Sequence, residues 1–71
     1  MLYILKIKGT DKIPDFVQIR DENMTLVAYF RLTQVEKGLT KNGLEKHTDA
    51  ISTIIEEIDF GKIYKYINKH E

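Results

Sequence analysis

Phe16-Val17-Gln18-Ile19-Arg20-Asp21-Glu22-Asn23-Met24-Thr25-Leu26-Val27-Ala28-Tyr29-Phe30-Arg31-Leu32 reads as two strands joined by a polar loop. The segments on either side of Asp21–Met24 are rich in β-branched and aromatic residues, and both alternate. In the second segment Leu26, Ala28, Phe30 and Leu32 point one way, while Val27 and Tyr29 point the other. That strand is apolar on both sides and calls for cover on both. A chain of this length supplies about one layer of helix. The other side then needs a partner, a ligand or a second copy.

Asn23 is the residue of the loop best suited to a left-handed conformation. A four-residue loop places Arg20 opposite Thr25, Ile19 opposite Leu26, Gln18 opposite Val27, Val17 opposite Ala28 and Phe16 opposite Tyr29. Cross-strand partners share a face. Val17, Ile19, Leu26, Ala28 and Phe30 then form a core face. Phe16, Gln18, Arg20, Val27, Tyr29 and Arg31 form an aromatic and arginine face. A slip of one residue would exchange the faces on one strand and destroy this agreement.

Upstream, Met1–Lys8 is a strand. Tyr3, Leu5 and Ile7 make its better core face, because the opposite set (Leu2, Ile4, Lys6, Lys8) ends in lysines. Gly9–Lys12 is a loop, continued through Pro14, which lacks a ladder amide. Downstream, Thr33-Gln34-Val35-Glu36 matches the capping box, followed by a short helix from Gln34 to about Lys41 that Gly38 weakens. Asn42, with Glu45 after it, offers a second helix start. In Gly43–Ile58, Leu44, Ile51, Ile54, Ile55 and Ile58 fall on one stripe, with His47 in line. Asp59-Phe60-Gly61 ends this helix. Lys62–Ile67 is a last strand, on which Ile63, Lys65 and Ile67 oppose Lys62, Tyr64 and Tyr66. Asn68–Glu71 reads as a frayed tail. Grouped strands followed by helices define an α+β fold: a mainly antiparallel four-stranded sheet, in the element order β-β-β-α-α-β, with helices packed on one face.

The 71 residues are expected to form one domain. A chain of that size buries only about 60% of its unfolded-state surface, so its stability margin is thin. Small domains offset this with disulfides, metals or oligomers. The chain has no cysteine and two histidines, His47 and His70, which removes disulfides, thiolate sites and a structural zinc. Oligomerisation remains. Eleven basic residues balance eleven acidic ones, so no long-range field favours nucleic acid or an anionic membrane. Locally, both ends of the chain are basic and the middle is acidic. No apolar run approaches the ~20 residues of a membrane span, and Met1–Lys8 lacks the basic leader of a signal peptide. A cytoplasmic location is the expectation.

Catalytic candidates are weak. Asp59-Phe60-Gly61 copies a kinase triplet without its companion motifs. Gly9-Thr10-Asp11-Lys12 lacks the spacing of a phosphate loop. His47 has no nucleophile or orienting acid at helical spacing, since Asp49 and Ser52 fall on other sides; it reads as a ring packed at the stripe's edge. Glu56, Glu57 and Asp59 crowd the helix C-terminus, where the dipole prefers cations; Lys62 or a basic strand end can offset them. Their spacing is not that of a calcium loop. No enzyme, cofactor or metal site is expected.

The remaining feature is the face carrying Phe16, Gln18, Arg20, Val27, Tyr29 and Arg31, joined by Tyr64 and Tyr66 if Ile63 and Ile67 face the core. Aromatics beside cations suit a protein interface, and they also suit single-stranded nucleic acid, which needs stacking platforms and phosphate contacts. Neutral overall charge favours the first. The expectation is a small interaction or regulatory module forming a homodimer or other homo-oligomer through this face, with a different protein partner as a further option. Nucleic acid on the same face is the rival reading. No membrane partner is expected.

Overall fold

The computed structural model describes residues 1–67. Its sheet has four strands: β1 (Leu2–Ile7), β2 (Phe16–Arg20), β3 (Leu26–Arg31) and β4 (Ile63–Tyr66). They lie in the order β3-β2-β1-β4, with each neighbouring pair antiparallel. Between β3 and β4 come two helices, α1 (Val35–Lys41) and α2 (Thr48–Glu57), each entered through a single 3-10 turn (Leu32–Gln34 and Glu45–His47). Both helices cover one face of the sheet. The fold is α+β, as the grouping of elements requires. The expected tail, with His70, lies outside the described residues.

One cluster forms the core. Ile4, Val17, Ile19, Ala28 and Phe30 rise from the sheet to meet Leu39 of α1 and Ile51 and Ile55 of α2. Leu2, Leu32, Val35, Leu44, Ile54, Ile58 and Tyr66 pack around it. The stripe that predicted the long helix therefore faces the sheet, and each fully buried isoleucine contributes about 1.5–3 kcal/mol before ordering costs. The helix is shorter than expected. It begins at Thr48 because Asn42 ends α1 instead of starting α2: its side-chain amide donates to the Gly38 carbonyl at 2.7 Å, and Gly43 follows at φ 77°. Nor does the Thr33–Glu36 capping box form. Gln34 stands at the N-cap of α1 with no side-chain cap bond, because Leu32–Gln34 winds into the 3-10 turn first.

The facing of β1 is the reverse of the sequence reading. Ile4 is fully buried and Leu2 packs against the core, whereas Tyr3, Leu5 and Ile7 are only half-buried and lie on the other face. Lysine at the third inward position is accommodated because Lys6 runs past the core to the end of α2. Its Nζ donates to the carbonyls of Ile55 (2.9 Å) and Ile58 (3.1 Å), and lies 4.7 Å from the centre of the Phe60 ring. A long side chain can bury its stem and deliver its charge elsewhere. Lys6, a strand cation, thus stands at the negative end of α2, the end that Glu56, Glu57 and Asp59 crowd.

The hairpin also departs from expectation, by an even step. Val17 pairs with Phe30, Gln18 with Tyr29 and Ile19 with Ala28, two residues from the simple four-residue loop. An even shift preserves the faces, so Val17, Ile19, Ala28 and Phe30 stay inward. Beyond Ile19 a β-bulge intervenes and Arg20 pairs with Leu26, leaving Val27 as the extra residue. The bulge turns Leu26 outward, where it is 46% exposed, against its expected place in the core. The left-handed residue of the loop is Met24 (φ 63°), not Asn23. Asp21 organises the loop by accepting the amides of Asn23 and Thr25 on one carboxylate oxygen, at 2.9 and 3.0 Å.

Candidate functional site

The face of the sheet opposite the helices is built in three rows of cross-strand partners. Ile7, Phe16 and Arg31 form one end. Ile63, Leu5, Gln18 and Tyr29 run across the middle. Lys65, Tyr3, Arg20 and Leu26 form the other end. Among the described residues no helix lies over these rows. Tyr3, Leu5, Ile7 and Phe16 are half-buried by their neighbours in the sheet, while Tyr29, Leu26 and Ile63 are 51%, 46% and 58% exposed. The side chains order one another. Phe16 and Tyr29 stack diagonally across the hairpin, with ring centres 4.7 Å apart and planes 21° from parallel. Arg20 lies along the surface, donating to the Met24 carbonyl at 3.0 Å and to Gln18 Oε1 at 3.4 Å. A depression of about 50 Å³ opens between Tyr3, Leu5, Gln18, Arg20, Met24 and Ile63.

Five of the residues expected on this face are there: Phe16, Gln18, Arg20, Tyr29 and Arg31. Val27, at the bulge, is half-buried and outside the core cluster. Tyr64 and Tyr66 are not on this face. They pair with Ile4 and Leu2, and so lie on the helix side. Tyr66 packs on the core, and its ring meets His47 edge-on at 5.9 Å, with its hydroxyl 3.4 Å from Nδ1. His47 is therefore at the edge of the helix stripe with an aromatic neighbour. The residues that sequence reasoning left out are Tyr3, Leu5, Ile7, Leu26, Ile63 and Lys65. Once β1 is set between β2 and β4, the partners of Arg20 and Gln18 would have revealed the first two; the bulge that exposes Leu26 has no comparable signal.

A second concavity lies around the corner, where β3 forms the sheet edge beside α1. This groove of about 310 Å³ is walled by Phe16, Tyr29, Phe30 and Arg31 on the strand side and by Gln34, Lys37, Gly38, Lys41 and Asn42 on the helix side. Gly38 sets its depth. A Cβ on Gly38 would collide with the Phe30 ring and stand 2.7 Å from Phe30 Cβ, so α1 can approach the strand only because that atom is missing.

These features define a small α+β fold whose sheet, among the described residues, is covered by helices on one face and by none on the other. The chain matches no protein-family model, no curated protein and no solved structure. No helix among the described residues is long and apolar enough to cross a membrane.

Proposed function

We propose that the chain is a small non-enzymatic interaction or regulatory module that pairs with a second copy of itself through the bare face of its sheet. The observation that carries this reading is the band Tyr3, Leu5, Ile7, Phe16, Leu26, Tyr29 and Ile63, which none of the chain's described helices shields. A contiguous apolar patch of this kind marks a contact surface.

Size favours a second copy as the occupant. Four strands about 4.8 Å apart and about six residues long give a face of roughly 20 by 20 Å. With side-chain relief, two such faces bury on the order of 1,000 Å² together, the lower bound for a specific interface. A twofold axis lying in the interface, across the strands, sets the Arg31 end of one face over the hairpin loop of the other, where Glu22 is exposed. By symmetry an Arg31–Glu22 contact recurs at both ends, but Arg20 and Lys65 share the loop end, so the apolar band and not charge carries the reading. An interface this small supports a modest affinity, so association is concentration-dependent.

The test is chemical denaturation at two protein concentrations about a hundredfold apart. Coupling to association raises the denaturation midpoint at the higher concentration. Leu5→Asp and Tyr29→Asp abolish that rise while helix content is retained. Midpoints that coincide at both concentrations in the parent chain overturn the proposal. Single-stranded nucleic acid spread over this same face is the weaker reading, because Tyr64 and Tyr66 lie on the helix side and only Tyr3 is gained in their place.

A further inference from the structure

We infer that the groove between the β3 edge and α1 is a binding site for single-stranded nucleic acid, which shares Phe16, Tyr29 and Arg31 with the self-association face and adds the lysines of α1. Gln34, Lys37, Gly38 and Lys41 are spaced as one helical stripe, and that stripe faces the strand. The groove thus gathers the cations of Lys37, Lys41 and Arg31, and no acid is among the described residues that line it. In a chain whose positive and negative residues balance, this is a local segregation of charge. It is also an unfavourable one: Lys37 and Lys41 are like charges four residues apart on a helix. A bound polyanion relieves that repulsion. At physiological salt a phosphate senses charges within about 8 Å, so the local cations govern its binding and the neutral total does not.

The aromatic wall selects the kind of anion. Tyr29, stacked on Phe16, is 51% exposed at the mouth of the groove. A base can stack there while the neighbouring phosphates meet Arg31, Lys37 and Lys41, and Gln34 and Asn42 add polar groups beside them. The groove lies along β3, an edge strand of the described sheet. A duplex has its bases paired and offers none to Tyr29, so the occupant is single-stranded. Lys37 and Lys41 stand on α1, outside the rows of the self-association face, whereas Phe16, Tyr29 and Arg31 belong to both, so the lysines are the residues that test the groove alone.

The experiment is fluorescence anisotropy of a labelled mixed-sequence single-stranded RNA of about 12 nucleotides, titrated with the full chain. Three phosphate contacts give a log–log salt slope of about −2, which is a loss of affinity of about twentyfold between 50 and 200 mM salt. The double variant Lys37→Glu/Lys41→Glu loses binding and keeps the parent's concentration-dependent denaturation midpoint, whereas Leu5→Asp keeps binding and loses that dependence. Arg31→Ala weakens binding and reduces the slope by about 0.7. No anisotropy change at low salt overturns the inference, as does binding unaffected by the double lysine variant. Equal affinity for a duplex of the same sequence overturns it also. The self-association reading stands or falls separately, on the denaturation midpoints.

Discussion

Replacing Lys6 by Met removes a cation while keeping most of the stem that packs beside the core. Two bonds are lost, those from Nζ to the carbonyls of Ile55 and Ile58. A hydrogen bond from a charged donor contributes about 1.5–3 kcal/mol where it is buried. Lys6 is half-buried, and water can reach part of what it leaves, so about 2 kcal/mol is the expected cost for the pair. Loss of a cation at the C-terminus of α2, among Glu56, Glu57 and Asp59, adds about 0.3–1 kcal/mol. The sum, about 2–3 kcal/mol, is a large share of the roughly 4–11 kcal/mol expected for a domain of this length. Urea denaturation at fixed protein concentration measures it. With a slope near 1–2 kcal/mol per molar, the midpoint falls by about 1–3 M. Lys8→Met is the control, since Lys8 shares the Phe60 ring at 4.9 Å whereas the bonds to the two carbonyls come from Lys6. If both variants lose the same stability, the ring contact is responsible and the capping argument is refuted. If Lys6→Met loses none, the inward facing of β1 needs another explanation.

Other substitutions test the packing. Gly38→Ala gains up to about 1 kcal/mol of helix propensity but drives a methyl into the Phe30 ring; overpacking of about 1–3 kcal/mol prevails, and thermal denaturation shows a lower midpoint. Ile4→Ala costs about 2–5 kcal/mol by urea denaturation, whereas Ile63→Ala on the other face leaves the dilute chain within about 0.5 kcal/mol of the parent. Met24→Gly releases a left-handed residue that costs about 1–2 kcal/mol and raises the midpoint, provided the loop keeps its conformation, which two-dimensional NMR of the Asn23 and Thr25 amides reports.

Much of the fold was legible because hydrophobic period and burial agree. The isoleucine stripe of α2 and the alternation of Val17, Ile19, Ala28 and Phe30 each admit one facing, and the structure has it. Elsewhere the residues are ambivalent. Met1–Lys8 is apolar on both sides, and counting lysines as outward assigned Tyr3, Leu5 and Ile7 to the core. That rule failed because Lys6 found carbonyl acceptors at a helix end 49 residues away in sequence. β4 carries tyrosines on one side and isoleucines with a lysine on the other, so only its pairing with Leu2 and Ile4 decides that Tyr64 and Tyr66 join the helices. The bulge at Ile19/Arg20 is a backbone event with no residue signature here, and it moved Leu26 outward. The candidate face was legible in its hairpin half, through Phe16, Gln18, Arg20, Tyr29 and Arg31. The groove at the β3 edge was not, since it exists only when Gly38 lets α1 settle beside Phe30 and brings the lysine stripe to the strand.

Sedimentation equilibrium of the parent chain, from about 10 μM to about 1 mM as suits a modest interface, measures the occupant of the bare sheet most directly. The weight-average mass should climb from the 8.3 kDa of one chain toward twice that value, and Leu5→Asp should hold it at the lower figure. A parent mass that stays at 8.3 kDa throughout contradicts pairing through this face.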